Sequence, residues 1–371
     1  FEVDFLEKRD TYLWLQSIVG ITTKTIEIIE TEIVNIEDIF DFSEKEIYNL
    51  KNISLNIRKN IVKYRGHAYL ENIKELLYKK AIKYICKYDK EYPENLKNIY
   101  NAPKLLFYKG DIGLVNNNFN IAIVGSRKPT AYGINCAKTI SCQLSQYGVN
   151  IVSGLAIGID AYSHIGCMSG KSKTIAVLGS GVDNPLPKQN LHLSNKILEN
   201  GGLLLSEYNI NSTVAPYHFS NRNRIISGLS DGVVVVEAAI KSGALITVDF
   251  ALEHGKNVFA IPGNINSQMS RGCHKIIKEG AKLIENIDDI LNEYNIFNII
   301  DKKINQKYDN ISLNAKSKQI IEAIKREGNL HIDSICDYTG IEIKYVNSII
   351  NELVLNELVV EMNNKTYSLN V

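Results

Sequence analysis

Short runs of apolar residues alternate with longer amphipathic stretches between positions 121 and 284. The runs are, in order, IAIVG (121–125), NIVSG (150–154), TIAVLG (174–179), LLLSEY (203–208), VVVVEA (233–238), NVFAIPG (257–263) and KLI (282–284). Such near-continuous, largely β-branched runs are typical of strands that are buried on both faces. The segments between them, such as Ala131–Tyr147 and Leu191–Glu199, have helical length and period. Strands that alternate with helices indicate βαβ units, so the pattern predicts an α/β fold with a doubly wound, Rossmann-like parallel sheet.

The first 65 residues instead predict short helices separated by small turns. Apolar positions lead to Gly20, and a helical period resumes at Thr25–Glu32. Such pairs form small bundles of the SAM or helix-hairpin-helix type, which act as packing modules or touch DNA backbone through the turn; we favour packing. From Lys63 to Lys90 a Tyr- and Lys-rich stretch predicts a further helix. Its aromatic and basic residues either bind single strands or, as we prefer, face solvent.

The C-terminal part predicts a small separate domain. Residues 298–312 are polar and aperiodic, which indicates a linker. Three helical segments then precede a hairpin with an Asn363-Asn364 turn, the pattern of a winged helix. Its third helix carries Lys344 as its only cation beside Glu352 and Glu357. A helix that binds in the major groove of DNA should carry more basic residues, so this pattern favours contact with a protein over contact with DNA.

These patterns divide the chain into four predicted regions. They are a helical SAM-like module (1–65), an extended Rossmann-like domain (66–297), a linker (298–312) and a winged-helix-like domain (313–371).

Composition and charge add few constraints. The 371 residues are 45% hydrophobic and 22% charged, with a net charge of +1, so any anion-binding surface must come from local clustering. The six cysteines are scattered without a C-x-x-C pair, which argues against zinc and disulfides and indicates a reducing cytoplasm. No apolar run approaches the roughly 18 residues of a membrane span, and no signal-peptide pattern is visible.

Glycine-containing turns follow the first two strands of the predicted sheet. Gly125-Ser126-Arg127 ends the first strand, and Ser153-Gly154 ends the second, four residues before Gly158. Turns of this kind leave helix N-termini and backbone amides open to an anion, and arginine adds a bidentate phosphate donor. We expect the two adjacent strand ends to define a ligand-binding crevice. The G-x-G-x-x-G and G-x-x-x-x-G-K-[ST] patterns are absent here, so NAD and P-loop ATP chemistry are not supported.

Two arginines at a predicted helix start form the most specific feature. Arg222, Asn223 and Arg224 begin a helix, where cations are unfavourable unless an anion is present. They therefore predict a phosphate or carboxylate site, and the alternative is that one arginine pairs with Glu207 or Glu237 inside the fold. A further small-residue turn, Lys241-Ser242-Gly243, follows the next strand and offers a hydroxyl and a cation.

Candidate acid–base groups do not form a catalytic set. Asp160, Glu237, His164 and His274 are predicted near the same sheet edge, but no nucleophile is paired with a base. His164, inside an amphipathic helix, is interpreted as a packed residue. These residues therefore give no recognisable catalytic set, and we expect no metal or other cofactor.

Five motifs, in this order, resemble the DNA-processing protein A (DprA/Smf) family. They are G-S-R (125–127), S-G-x-A-x-G-I-D (153–160), F-x-x-R-N-R-I-I-x-G (219–228), S-G-A-L-I-T (242–247) and P-G (262–263). The resemblance implies a non-enzymatic mediator that binds single-stranded DNA during natural transformation. It also implies that the protein loads RecA on strands covered by single-strand-binding protein and dimerises through the Rossmann-like domain.

Matching the motifs residue by residue gives a predicted DNA-binding set. It comprises Gly125, Ser126, Arg127, Ser153, Gly154, Lys188, Arg222, Asn223, Arg224, Lys241, Ser242 and Gly243. Arg127 is the leading contact, and Lys188 and Lys241 are expected at the rim. One departure is the segment Ala215–His218, which lacks a lysine that some members carry.

Two rival functions remain open at this stage. A nucleotide-processing hydrolase on a related scaffold would use Glu237 beside Ser242–Thr247, but the P-G-G-x-G-T turn of such enzymes is missing. A sequence-specific regulator would act through the winged helix, against which the weakly basic third helix counts.

Overall fold

The structure, a computed structural model, describes residues 7–210, 212–295, 314–327, 329–356 and 358–369. The predicted linker at 298–312 lies outside the described residues. The chain divides into two compact units, Phe1–Ile287 and Asp288–Val371.

The first unit begins with helices and continues into alternating strands and helices. Its helices are α1 (Lys8–Ser17), α2 (Thr23–Glu32), α3 (Glu44–Asn49), α4 (Leu55–Lys63), α5 (His67–Lys79), α6 (Glu94–Lys97), α7 (Leu114–Asn117), α8 (Ala131–Gln146), α9 (Ile159–Met168), α10 (Leu191–Glu199), α11 (Pro216–Asn221), α12 (Asn223–Leu229), α13 (Ala244–Glu253) and α14 (Arg271–Lys278). Its strands are β1 (Lys83–Cys86), β2 (Leu105–Lys109), β3 (Asn120–Val124), β4 (Asn150–Ser153), β5 (Thr174–Val177), β6 (Leu203–Ser206), β7 (Gly232–Val235), β8 (Asn257–Ala260) and β9 (Lys282–Leu283).

All these strands form one large sheet in the order β1-β2-β6-β5-β4-β3-β7-β8-β9. The strands from β6 to β9 in this order pair in parallel, whereas β1 and β2 add an antiparallel edge. Each of the apolar runs between 121 and 284 overlaps one of the parallel strands. The predicted mixed α/β architecture with a large, mostly parallel sheet is therefore confirmed.

Helices cover both faces of the sheet. Leu204 belongs to one core and its neighbours Leu203 and Leu205 to the other, as the two-residue period of a strand requires. Helices α9 and α10 pack on the first face, and α12, α13 and α14 pack on the second. The N-terminal helices share the first core, where Trp14 is fully buried.

Polar contacts also join the N-terminal helices to the sheet. Lys104, which precedes β2, forms an ion pair of 2.6 Å with Glu30 of α2. Asn209, which follows β6, donates its amide to the hydroxyl of Ser17 at 2.6 Å. The helices and the sheet therefore form one compact unit.

The helix predicted over 63–90 is wrong in its extent. Helix α5 ends at Lys79, Ala81 has a left-handed φ of 50°, and 83–86 form strand β1. A strand of four residues is too short for an alternation of apolar and polar positions to distinguish it from the preceding Tyr- and Lys-rich helix. Pairing with β2, which is distant in sequence, makes this segment a strand.

The second unit contains α15 (Asp288–Glu293), α16 (Ala315–Glu327), α17 (Ile332–Thr339) and α18 (Ile343–Leu355). Strands β10 (Leu330–His331), β11 (Val359–Glu361) and β12 (Thr366–Leu369) form an antiparallel sheet in the order β10-β12-β11. Ile324, Ile335 and Ile350 contribute to its buried core. Among the residues that the structure describes, no helix has the length and apolar character needed to cross a membrane.

Candidate functional site

A cavity of about 540 Å³ lies at the carboxyl ends of β3 and β7. From β3 the winding runs through β4, β5 and β6 on one side and through β7, β8 and β9 on the other. The strand order therefore reverses between β3 and β7, and this switch point is where open α/β sheets bind ligands. The sequence predicted a crevice at the ends of β3 and β4, and the lining does include Ala156 and Asp160 from the segment after β4. The contribution of the segment after β7 was not predicted, because strand order is not visible in a single sequence.

The loop after β3 contributes the exposed cations of the cavity. Gly125 fits tightly, since a Cβ there would lie 2.7 Å from Cγ1 of Ile159. The Ser126 amide donates to the carbonyl of Glu237 at 2.7 Å, and the Ser126 hydroxyl accepts from the Lys128 amide at 3.0 Å. These contacts fix the loop while the side chains of Arg127 and Lys128 remain exposed at the cavity. Sequence reasoning missed Lys128, whose position beside the G-S-R motif was the available signal.

Arg222 lies beneath these cations and is only 3% exposed. Its Nη1 donates to the carbonyl oxygens of Gly154 and Val177, and its Nε donates to Oδ1 of Asn223 at 3.2 Å. Burial lowers the pKa of Arg222 to about 10, while the nearby carboxylate of Asp160 opposes that shift. The guanidinium therefore stays charged at neutral pH and forms part of the cavity wall, with Asp160 as its nearby counter-charge.

Asp160 is the acidic group of the cavity and is almost fully buried. Its Oδ2 accepts from the amides of Gly154 at 3.1 Å and Ala156 at 3.3 Å. Burial raises the pKa of Asp160, and the charge of Arg222 works in the opposite direction. The Gly154 amide, predicted to face a phosphate, is therefore occupied by an internal carboxylate.

The two arginines of the R-N-R motif have different environments. Arg224 donates Nη2 to Oε2 of Glu207 at 2.6 Å, with both side chains nearly buried. The sequence had left open the alternative that one of these arginines pairs with a glutamate inside the fold, and Arg224 does so. Arg224 and Glu207 are not among the residues that line the cavity. Asn223, between the arginines, donates Nδ2 to the carbonyl of Gly243 at 3.3 Å and so ties α12 to the loop after β7.

The remaining predicted residues lie at different depths. Ser153 is fully buried, and its hydroxyl donates to the carbonyl of Ile123 at 2.7 Å. Lys188 and Lys241 are exposed, and Lys188 donates to Oδ1 of Asn184 at 2.5 Å.

Seven predicted residues thus line one cavity, whereas five do not. The structure brings together Gly125, Ser126, Arg127, Arg222, Asn223, Ser242 and Gly243. It places Ser153, Gly154, Lys188, Arg224 and Lys241 outside the lining.

The other candidate acid–base groups serve internal contacts. Glu237 accepts from the Thr130 amide at 2.8 Å and from its hydroxyl at 2.6 Å, at the start of α8. His164 is fully buried, its Nδ1 lies 2.6 Å from Oγ1 of Thr174, and burial lowers its pKa to about 3. His274 contacts the carbonyl of Gly263 at 3.0 Å. Among the described residues, no group of His, Cys, Asp and Glu side chains could hold a metal ion.

These features define a class of protein: a doubly wound α/β protein with a cavity lined by basic residues at its switch point. The residues lining the cavity supply a buried guanidinium, two exposed cations, small residues and hydroxyls. Within the described part of the chain, Asp160 is the acid–base side chain of that lining, and neither histidine nor cysteine accompanies it. The arrangement can hold a phosphate but offers no paired nucleophile and base.

Comparison with known proteins assigns the chain to a family within this class. The sequence profile of the family described as DNA recombination-mediator protein A matches residues 83–295. The DNA processing protein DprA of Bacillus subtilis is 44% identical over 204 residues, which cover 55% of this chain and 68% of that protein. The chain belongs to the DprA/Smf family, and the resemblance drawn from the five motifs is confirmed.

Two solved structures are similar to this one. DNA processing protein A of Streptococcus pneumoniae superposes with a TM-score of 0.67 and 35% identity, covering 76% of this chain and 97% of that chain. DNA processing protein A of Helicobacter pylori gives a TM-score of 0.52 and 29% identity, covering 58% of this chain and 97% of that chain. The second structure was described for its single-stranded DNA binding mode.

Proposed function

We propose that the protein binds single-stranded DNA by holding its phosphate backbone in the switch-point cavity. The observation that carries the proposal is the exposed Arg127 at a cavity whose wall is the buried, charged Arg222. The single-stranded DNA binding described for the Helicobacter pylori relative supports the same ligand.

The physical basis is electrostatic and independent of base identity. Arg127 and Lys128 attract phosphates from solvent, and Arg222 offsets the buried charge of Asp160 in the cavity wall. Neutralised phosphates release counterions, so affinity falls with salt by a log–log slope of about −0.7 for each single-strand phosphate neutralised. Contacts to the backbone carry no direct sequence information, so the site should accept strands of any sequence.

The biological role that we propose is recombination mediation. The protein would load RecA on incoming strands covered by single-strand-binding protein during natural transformation. It would act in the cytoplasm as a homodimer formed through the Rossmann-like domain. The description of the matching family as recombination mediators supports this role.

Both ends of the chain have proposed roles as well. The helices before 65 would form a SAM-like packing module. In the second unit α16, α17 and α18 with β11 and β12 would form a winged helix. We favour protein contact for that winged helix, because Lys344 is the only basic residue that α18 contributes.

We propose further that the protein is not an enzyme and requires no cofactor. The rival hydrolase needs a glutamate free to act beside a nucleotide, whereas both carboxylate oxygens of Glu237 accept hydrogen bonds from Thr130. Incubation with nucleoside monophosphates should release no free base. Release of base at a rate that depends on Glu237 would overturn this part of the proposal.

The function is tested by titrating single- and double-stranded DNA of the same sequence at several salt concentrations. RecA filament formation on strands coated with single-strand-binding protein is followed in parallel. We expect tighter binding to the single strand, a steep salt dependence and faster filament formation. Equal affinity for both DNA forms would contradict single-strand binding, and unchanged filament formation would contradict mediation.

A further inference from the structure

An exposed aromatic residue stands beside the cavity on α11. Tyr217 is 60% exposed. Its ring meets the ring of His218 edge to face, with centroids 4.6 Å apart and an interplanar angle of 89°. His218 is itself nearly buried and stacks on Tyr208, with centroids 3.9 Å apart and an angle of 16°. The contact with His218 therefore restrains the Tyr217 ring, while much of the ring surface faces solvent.

Helix α11 connects this ring to the cavity. Pro216, Phe219 and Ser220, which share one side of the helix, line the cavity. The Ser220 hydroxyl donates to the carbonyl of Tyr217 at 3.0 Å, so the two residues are neighbours across one helical turn. Tyr217 thus flanks the mouth of the cavity without lining it.

The chemistry of α11 differs from that of the loop after β3, which also lines the cavity. The helix reads Pro-Tyr-His-Phe-Ser-Asn and carries no lysine or arginine, whereas the loop after β3 presents Arg127 and Lys128. Because both segments line one cavity, a strand whose phosphate lies against those cations can place a neighbouring base against the uncharged, aromatic α11. Every nucleobase has a π face that can stack on such a ring.

We propose that Tyr217 is a stacking platform for a base of the single strand whose backbone occupies the cavity. The inference rests on the proposed function and deepens it, because it divides binding into an ionic part at the loop after β3 and a stacking part at α11. A ring already fixed by His218 and Tyr208 loses little conformational freedom on binding. Stacking tolerates any base, so it adds affinity without adding sequence specificity.

The test compares Tyr217→Ala, Tyr217→Phe and a matched control, Tyr78→Ala, in the 371-residue chain. Tyr78 is 86% exposed on α5 and does not line the cavity. Each protein is titrated with an oligonucleotide and with a chain of the same length made of abasic sites. Thermal unfolding of each variant is measured to establish that it folds.

We expect Tyr217→Ala to bind the oligonucleotide on the order of five- to a hundredfold more weakly, with an unchanged salt slope. Tyr217→Phe and Tyr78→Ala should stay within about twofold of wild type, because Phe keeps the ring and Tyr78 is remote. On the abasic chain, wild type and Tyr217→Ala should bind equally. A 2-aminopurine base in the bound strand should be quenched by wild type and recover in Tyr217→Ala.

The outcomes separate this inference from the function on which it rests. If Tyr217→Ala binds the oligonucleotide as tightly as wild type does, the stacking role is overturned and the proposed function still stands. An equal loss on the abasic chain would also overturn it, because the residue would then act without a base. Wild-type protein that binds neither chain would overturn the proposed function itself.

Discussion

Gly154 and Arg222 are packed so closely that no side chain fits between them. A Cβ at position 154 would lie 2.5 Å from Cζ of Arg222, and the carbonyl of Gly154 accepts a hydrogen bond from the same guanidinium. The glycine that the sequence motif assigned to a phosphate therefore makes room for a buried cation. The charged wall of the cavity depends on this contact.

Gly154→Ala should accordingly destabilise the first unit by about 2–4 kcal/mol, through overpacking and through lost hydrogen bonds to the guanidinium. Urea unfolding followed by fluorescence of Trp14, the single tryptophan, measures the change. Gly243→Ala is the matched control, since its Cβ would meet no atom within 4 Å. Equal stability of the two variants would show that Arg222 does not need the space.

The Arg224–Glu207 pair should behave as a buried ion pair. Glu207→Gln leaves the guanidinium without its counter-charge and should destabilise the first unit by about 3–5 kcal/mol. The double variant Arg224→Met/Glu207→Met should recover much of that loss, because both charges are then removed. The same urea unfolding assay measures both variants.

The exposed ion pair between Lys79 and Glu75 is the control for the buried Arg224–Glu207 pair. Glu75→Gln breaks the exposed Lys79–Glu75 pair and should cost less than about 1 kcal/mol. A Glu207→Gln variant that is no less stable than Glu75→Gln would contradict the structural role of Arg224.

The sequence predicted the parallel strands and the small-residue turns well, because those features are local. Strands buried on both faces need continuous apolar runs, and Gly125 and Ser126 do lie at a strand end. Strand order was beyond reach, since it depends on pairings such as Ile121 with Gly232 that join distant segments. The segment after β7 consequently lines the cavity together with the segments after β3 and β4, which the sequence alone did not reveal.

The same limit explains the arginines of α12. A cation at a helix start predicts an anion nearby, but it does not say whether that anion is a ligand or an internal carboxylate. For Arg224 it is Glu207 from the loop after β6, and for Arg222 the nearby charge is Asp160 of α9. Both partners are brought into place by tertiary packing, which a single sequence does not display.

His164 should make the first unit sensitive to acid. Its folded-state pKa is lowered to about 3 by burial, against 6.5 in the unfolded chain, so the unfolded state takes up the proton first. Its contribution to stability is complete above pH 6.5 and is lost as pH falls toward 3.

Between pH 7 and pH 4 the wild type should therefore lose about 3 kcal/mol more than His164→Asn, which does not titrate. Urea unfolding of both proteins over that pH range gives the comparison. Parallel stability curves for the two proteins would contradict a neutral, buried His164.

The central claim is that the switch-point cavity binds the phosphates of single-stranded DNA through Arg127. The most direct measurement is the affinity of Arg127→Ala for a single strand across salt, beside Lys79→Ala, which removes one exposed charge on α5. We expect a loss of about 1–3 kcal/mol for Arg127→Ala, a salt slope smaller by about 0.7 and no change for Lys79→Ala. Unchanged affinity and salt slope in Arg127→Ala would contradict phosphate binding through this residue.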